Sequence, residues 1–279
     1  MGKSTLLNQF VGQKIAIVSD KPQTTRNRIL GILTTEEAQA VFIDTPGIHK
    51  PHHKLGAYMM RIAEDILKEV DIVMYVVDAA ARPGAGEEYI LDQLRGVSTP
   101  VILVINKIDL IKKQEILPLI DWYSKQFDFQ EIVPASALTG ENLDKLLPVL
   151  ITKLKDGPFY YPAEMVTDQP ERFVVAEVIR EKVLRLTRQE IPHAVAVVIE
   201  EMQERENGML YLNAAVYVER DSQKGIIIGR GGSMLKEIGQ LARRELEAIF
   251  GSQVYLELWV KVKKSWRDDE AALRSLGYE

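Results

Sequence analysis

A chain of 279 residues holds one large or two medium domains, each with room for a sizeable core. It has no cysteine, which rules out disulfides and thiolate metal sites and fits a reducing compartment. The formal net charge of −5 gives no overall pull toward nucleic acid, and no apolar run approaches the ~20 residues that span a bilayer. Met1 leads straight into a polar tetrapeptide, so no secretory signal is expected either.

The tetrapeptide Gly2-Lys3-Ser4-Thr5 opens a helical stretch and matches the close of a phosphate-binding loop. The earlier glycine and the strand that normally precede such a loop do not stand upstream. Further on, short apolar runs alternate with helical ones. "AVFID" (40–44), "DIVMYVVD" (71–78), "PVILVINK" (100–107) and "EIVPAS" (131–136) read as strands covered on both faces. "YMMRIAEDILKEV" (58–70), "GEEYILDQLRG" (86–96), "EILPLIDWYSKQF" (115–127) and "ENLDKLLPVLITKLK" (141–155) carry helical periodicity. This alternation predicts an α/β fold with a doubly wound, mostly parallel sheet over 1–155, its ligand at the carboxyl ends of the strands.

Residues 156–170 hold prolines without helical period and read as a linker. A second, α+β domain is expected over 171–279. It begins with a charged amphipathic helix (171–187), followed by two strands (about 193–202 and 209–219), a helix, a glycine loop, a second helix, the strand "QVYLELWVKV" and a last helix.

The chemistry of the first half sits at the strand ends. Asp44 and Gly47 belong to "DTPG", Asn106, Lys107 and Asp109 to "NKID", and Ser136, Ala137 and Leu138 to "SAL". Lys3 would place a point charge on the β- and γ-phosphates, the Ser4 hydroxyl would bind Mg²⁺, and the helix N-terminus at Gly2 adds a positive dipole end. Asp44 would hold the metal, and the Gly47 N–H would sense the γ-phosphate. The Asp109 carboxylate, with Asn106, accepts the ring N1–H and 2-amino group that guanine has and adenine lacks, which selects GTP over ATP. Lys107 would lay its stem on the purine, and the Ala137 N–H would reach the guanine oxygen. The loop "SDKPQTTRNRILG" (19–31) reads as a switch, with Thr25 giving Mg²⁺ a further oxygen and Thr24 the alternative. Lys3, Thr25 and Gly47 are thus the expected catalytic groups. After "DTPG" come Ile48, which cannot orient a water, and His49, which reads as solvated. Slow hydrolysis is expected, driven by electrostatics.

In the second half, Gly229-Arg230-Gly231-Gly232 lies between two short helices. It matches the loop that clamps about four nucleotides of single-stranded RNA through their backbone. Lys224, Arg230 and Lys236 supply charge, and the isoleucines up to Ile228 an apolar floor for bases. A structural helix corner, and a domain that binds protein rather than RNA, are the competing readings. "WVKVKKSW" (259–266) either extends that surface or is a solvated edge with one core tryptophan.

The set "PQTTR", "DTPG", "NKID" and "SAL", joined through "GPFYYPAEMVTDQPERF" to "GIIIGRGGSMLKEIG", resembles the Era-type GTPase family over essentially the whole chain. The resemblance implies a P-loop GTPase domain followed by a type II KH domain. It also implies GTP/GDP and Mg²⁺ as ligands, and binding to small-subunit ribosomal RNA near its 3′ end during 30S subunit maturation. The implied protein is a cytoplasmic monomer that does not bind DNA, with some peripheral association with the inner face of the cell membrane. No stretch of the sequence argues for that last property. Against this family the chain lacks the first, central strand and the first half of the phosphate loop, including an Asn that helps hold a monovalent cation in related GTPases. The gap is expected between the 40–44 and 71–78 strands, and the alternative it raises is an RNA-binding protein with an inactive nucleotide domain.

Overall fold

The computed structural model describes residues 1–48 and 50–278; His49 and Glu279 lie outside the description. It divides into two compact bodies. The first comprises Met1–Ala16, Thr25–Lys50 and Met59–Asp168, the second Ile17–Thr24, Pro51–Tyr58 and Gln169–Glu279. This is a finer division than a boundary at 155–171. Most of the expected linker belongs to the first body, and two short pieces of the first half belong to the second.

The first body opens with helix α1 (Lys3–Val11). Next come strands β1 (Ile29–Thr34) and β2 (Gln39–Asp44), helix α2 (Lys54–Glu69), β3 (Val73–Asp78), α3 (Ala85–Arg95), β4 (Val101–Asn106), α4 (Lys113–Ser124), β5 (Glu131–Pro134) and α5 (Leu143–Ile151). β3, β4 and β5 form a parallel sheet in that order. β4 is its centre, and Ile102, Leu103, Val104 and Ile105 are fully buried. Their alternation sends Leu103 and Ile105 into one core with Leu91, Leu94 and Tyr123. Ile102 and Val104 go into another with Leu6, Phe10 and Leu146. Two apolar faces are why this strand reads as unbroken hydrophobic sequence.

β1 and β2 form a separate antiparallel pair, in register from Ile29 opposite Asp44. β1 corrects the expectation that 19–31 is loop throughout. β2 and β3 belong to different sheets. The segment after α5 is not a free tether. Ile32 N–H donates to Val166 O at 2.9 Å and Thr167 Oγ1 donates to Leu30 O at 2.6 Å, while Gln39 Oε1 accepts from the Tyr160 and Tyr161 amides.

The second body contains α6 (Glu171–Leu186), α7 (Ile191–Ala194), β6 (Ala196–Glu204), β7 (Leu210–Val218), α8 (Asp221–Ile228), α9 (Ser233–Phe250), β8 (Val254–Val262) and α10 (Glu270–Ser275). β7 is central, antiparallel to β6 and parallel to β8. Leu212, Ala214 and Val216 of β7 pack with Val175, Ile179 and Val183 of α6 and Ile238, Ala242 and Leu246 of α9.

α6 is not the amphipathic helix expected. Val175 and every residue from Val178 to Leu184 are buried, Arg180, Glu181 and Lys182 among them. The charges satisfy one another: Lys182 pairs with Glu181 and Glu245, and Arg180 with Glu177. Trp266 is the core tryptophan, fully buried with its Nε1–H donated to Ala194 O at 3.0 Å, whereas Trp259 is 57 % exposed. Among the described residues no helix is long and apolar enough to cross a membrane.

Candidate nucleotide and nucleic-acid sites

The first-body motifs meet at the carboxyl ends of β2, β3, β4 and β5. Ser4 Oγ, in the first turn of α1, donates to Asp44 Oδ2 at 2.6 Å, and Thr25 Oγ1 donates to the same oxygen at 2.9 Å. The two hydroxyls are 3.1 Å apart. Asp44 is buried, and its other oxygen, Oδ1, has no hydrogen-bond partner among the described residues. A buried carboxylate oxygen left over beside two hydroxyls fits a hard cation that prefers oxygen ligands. Thr24 does not share this position, since its hydroxyl donates to Lys21 O at 2.7 Å.

Gly47 lies beside Lys3, a Cβ on it falling 3.7 Å from Lys3 Nζ. Gly2, at φ +91°, caps α1, and a Cβ there would stand 2.5 Å from Asn106 Nδ2. Only glycine fits, so α1's N-terminus stays open for an anion. Ile48 is half-buried, and His49 lies outside the described residues.

Asn106 is a strut in this structure. Its Nδ2 donates to Met1 O at 2.7 Å and its Oδ1 accepts from Ala137 N–H at 2.9 Å, tying three loops together. The Ala137 amide, expected to reach the guanine oxygen, here donates to Asn106. Ser136 Oγ donates to Asp109 Oδ1 at 2.5 Å and accepts from Thr139 N–H. That bond aims a carboxylate which is itself exposed. Leu138 is 75 % exposed beside it. Lys107, at φ +65°, turns its ammonium onto Asp78 at 2.5 Å rather than lying unpaired. Burial works against ionisation of Asp78, but hydrogen bonds from Lys107 and the Ala80 amide, with the nearby positive charges, hold its carboxyl below the usual range. Sequence reasoning passed over Asp78. The signal was there, an Asp closing an apolar strand as Asp44 does.

In the second body, α8 ends and α9 begins across the glycine loop. Gly229, Gly231 and Gly232 all have positive φ. Gly229 is also sterically confined, since a Cβ would meet Met234 N at 2.8 Å. Around Gly231 the space is open and Arg230 is exposed, as is Lys236, while Lys224 is half-buried. Of the isoleucines expected to floor a groove, Ile227 enters the core, Ile226 is exposed and Ile228 is half-buried.

A phosphate-loop helix, strand-end motifs selective for guanine and a helix–strand–strand–helix–helix–strand body with a glycine loop define a GTPase joined to a KH module. A family model for 50S ribosome-binding GTPase matches residues 1–107, and one for the KH domain matches 190–267. The chain belongs to the Era GTPase family: it is 56 % identical over all its 279 residues to GTPase Era of Heliobacterium modesticaldum (strain ATCC 51547 / Ice1), covering 93 % of that protein. Among solved structures it is similar to Era in complex with MgGDPNP and nucleotides 1506–1542 of 16S ribosomal RNA. There the TM-score is 0.96 at 44 % identity, over 99 % of this chain and 94 % of that one. A variant of Aquifex aeolicus Era bound to GDP and AlF4⁻ matches with TM-score 0.95 at 44 % identity, over 99 % of this chain and 95 % of that one.

Proposed function

We propose that this chain is a GTP-hydrolysing switch that binds single-stranded RNA near the 3′ end of small-subunit ribosomal RNA and assists maturation of the 30S subunit. The observation that carries the nucleotide half is the convergence of Ser4, Thr25 and Asp44 around a leftover buried carboxylate oxygen. It favours an active nucleotide body over an inactive one. The glycine loop with exposed Arg230 carries the RNA half, and a relative bound to MgGDPNP and a 16S fragment supports both. Residues 1–155 would do the nucleotide work and 171–279 the RNA work.

Mg²⁺, held by Ser4 and Thr25 with Asp44 behind them, would neutralise charge on the β- and γ-phosphate oxygens. Lys3 adds a point charge to the same oxygens, and the amides of Gly2, Lys3, Ser4 and Thr5 cradle them. Gly47, next to Lys3, senses the γ-phosphate. Asp109, aimed by Ser136, takes the guanine N1–H and 2-amino donors, with Asn106, Lys107, Ala137 and Leu138 forming the base rim. Ile48 has no group to orient a water, so hydrolysis is slow and runs mostly on electrostatic stabilisation. In the second body Gly229–Gly232 clamps the RNA backbone, Lys224, Arg230 and Lys236 meet phosphates, and Ile228 packs against a base.

The protein acts in the cytoplasm as a monomer, with no DNA partner. Peripheral membrane association and a monovalent cation rest on family resemblance alone. Titration with a fluorescent GTP analogue, with and without Mg²⁺, tests the reading. Binding should depend on Mg²⁺, and an affinity unchanged by Ser4→Ala and Asp44→Ala together would refute it.

A further inference from the structure

The three-stranded sheet of the second body carries its helices on one face. Leu212, Ala214 and Val216 of β7 pack there with Ile227 of α8 and Ile238 and Leu246 of α9. The glycine loop between α8 and α9 thus belongs to the helical side. The alternate residues of β7, with their partners on β6 and β8, make the other face. Its rows are in register: Tyr211 pairs with Tyr255, Asn213 with Glu201 and Glu257, and Ala215 with Trp259. The two tyrosine rings stack with centroids 5.9 Å apart. The exposed Arg205 lays its guanidinium over both, 4.6 Å from Tyr211 and 5.5 Å from Tyr255. At the other end of the face Trp259 is 57 % exposed, and Ala215 beside it is too small to cover the ring. Between the two aromatic rows lies a row of acceptors. Glu257 accepts from the Tyr211 hydroxyl at 3.1 Å, and the buried Asn213 Oδ1 has no hydrogen-bond partner among the described residues. Lys261 is paired with Glu200, while Glu204 and Glu206 stand exposed at the hairpin end.

We propose that this face is a docking surface for an arginine-bearing segment of a basic partner protein, one guanidinium stacking on Trp259 with its N–H groups toward the Glu201–Asn213–Glu257 row. Arg205 displays the chemistry within the chain, since a guanidinium already rests on the neighbouring tyrosine pair. That group is flat, weakly hydrated, rich in donors and devoid of acceptors, which suits an aromatic ring beside a row of acceptors. A buried acceptor without a donor costs free energy, and an arriving N–H recovers it. Tyr255 and Trp259 are about 13 Å apart along β8, so arginines four residues apart in an extended segment reach both ends of the face. An RNA strand is the rival occupant, because exposed aromatic sheet faces also stack bases. Its phosphates would run past Glu201, Glu204, Glu206 and Glu257, and that repulsion favours the cationic peptide. The surface shares no residue with the nucleotide site or the glycine loop, so it stands or falls without them.

With the full chain, anisotropy of a fluorescein-labelled (Arg-Gly-Ser-Gly) repeat peptide should show saturable binding. The (Lys-Gly-Ser-Gly) counterpart, equal in length and charge, should bind about tenfold more weakly, because an ammonium offers no flat face to stack and no fork of donors. Trp259→Ala should erase that preference by weakening the arginine peptide about tenfold. Its melting temperature should hold, since the ring is exposed. Trp259→Phe restores a ring and should recover most of the loss. Glu201→Gln combined with Glu257→Gln keeps the acceptors and removes their charge, and should weaken both peptides. Equal affinity of the native chain for the two peptides would mean unspecific attraction of charge and overturns the proposal. So does an arginine-peptide affinity that Trp259→Ala leaves unchanged. If Trp259→Ala weakens a labelled uridine oligonucleotide and spares the arginine peptide, the face is a platform for RNA and the peptide assignment is overturned.

Discussion

Ser4 Oγ and Asp44 Oδ2 stand 2.6 Å apart across 40 positions of chain. Asp44 has two oxygens, and both hydroxyls, Ser4 and Thr25, crowd onto one of them. Replacing Asp44 by Asn keeps the shape and removes the charge. Mg²⁺-dependent GTP affinity should fall by about 10–100-fold, the scale on which a carboxylate behind metal ligands acts. Titrations with and without Mg²⁺ should converge for the variant.

Asp109 accepts a hydrogen bond from Ser136, and under the proposed function it is the residue that selects guanine. Asp109→Asn presents an amide where two ring donors arrive, leaving one of them facing an N–H donor. Competition binding should show GTP affinity reduced by about four powers of ten, with the preference shifting to xanthosine triphosphate, whose 2-oxo group accepts from the new amide.

Two glycines of the RNA loop should fail differently. Gly229→Ala forces a Cβ to within 2.8 Å of the Met234 main chain, so α9 must shift. Its melting temperature should drop, at a cost of about 1–3 kcal/mol, together with RNA binding. Gly231→Asp meets nothing within 4 Å and places its carboxylate where a phosphate would lie. Stability should change by about 1 kcal/mol while RNA binding, read by fluorescence anisotropy, is lost.

Asp78 gives a signed dependence on pH. Its carboxyl is held below its ordinary value of 3.8, against the pull of burial, by Lys107, the Ala80 amide and nearby positive charge. A depressed folded-state value means the stabilisation is present in full above the unfolded value and lost as pH falls through the folded one. Urea midpoints of the native chain and of Asp78→Asn should differ most at neutral pH and converge as pH drops below about 4.

The motif residues were legible because each closes an apolar run, and strand ends of one parallel sheet must share an edge. Asp44 and the Asp109–Ser136 pair follow from that rule, whereas Ser4 was read from the Gly-Lys-Ser that opens α1 and Thr25 from its place in the loop after that helix. β1 was not legible. Its "ILGILT" follows a charged turn and carries a glycine midway, so it reads as the tail of the loop. The burial of α6 was hidden because Arg180, Glu181 and Lys182 look like a solvated face, and only partners such as Glu245, 63 positions away, make them interior. The allegiance of 17–24 leaves no local trace at all. It depends on Ile17 and Val18 meeting residues more than a hundred positions downstream, and periodicity reports only neighbours.

The assignment of Ile17 to the second body's core bears on how this molecule can be dissected. A fragment starting at Gln169 would carry every element of the KH module and still lack a wall of its hydrophobic interior, with the Glu181 carboxylate deprived of the Val18 amide. Cutting by element order would yield a hollow piece; re-supplying a peptide of residues 17–24 should plug it. The second body is interlaced in sequence with the first, so the two modules are unsuited to being swapped between relatives as cassettes.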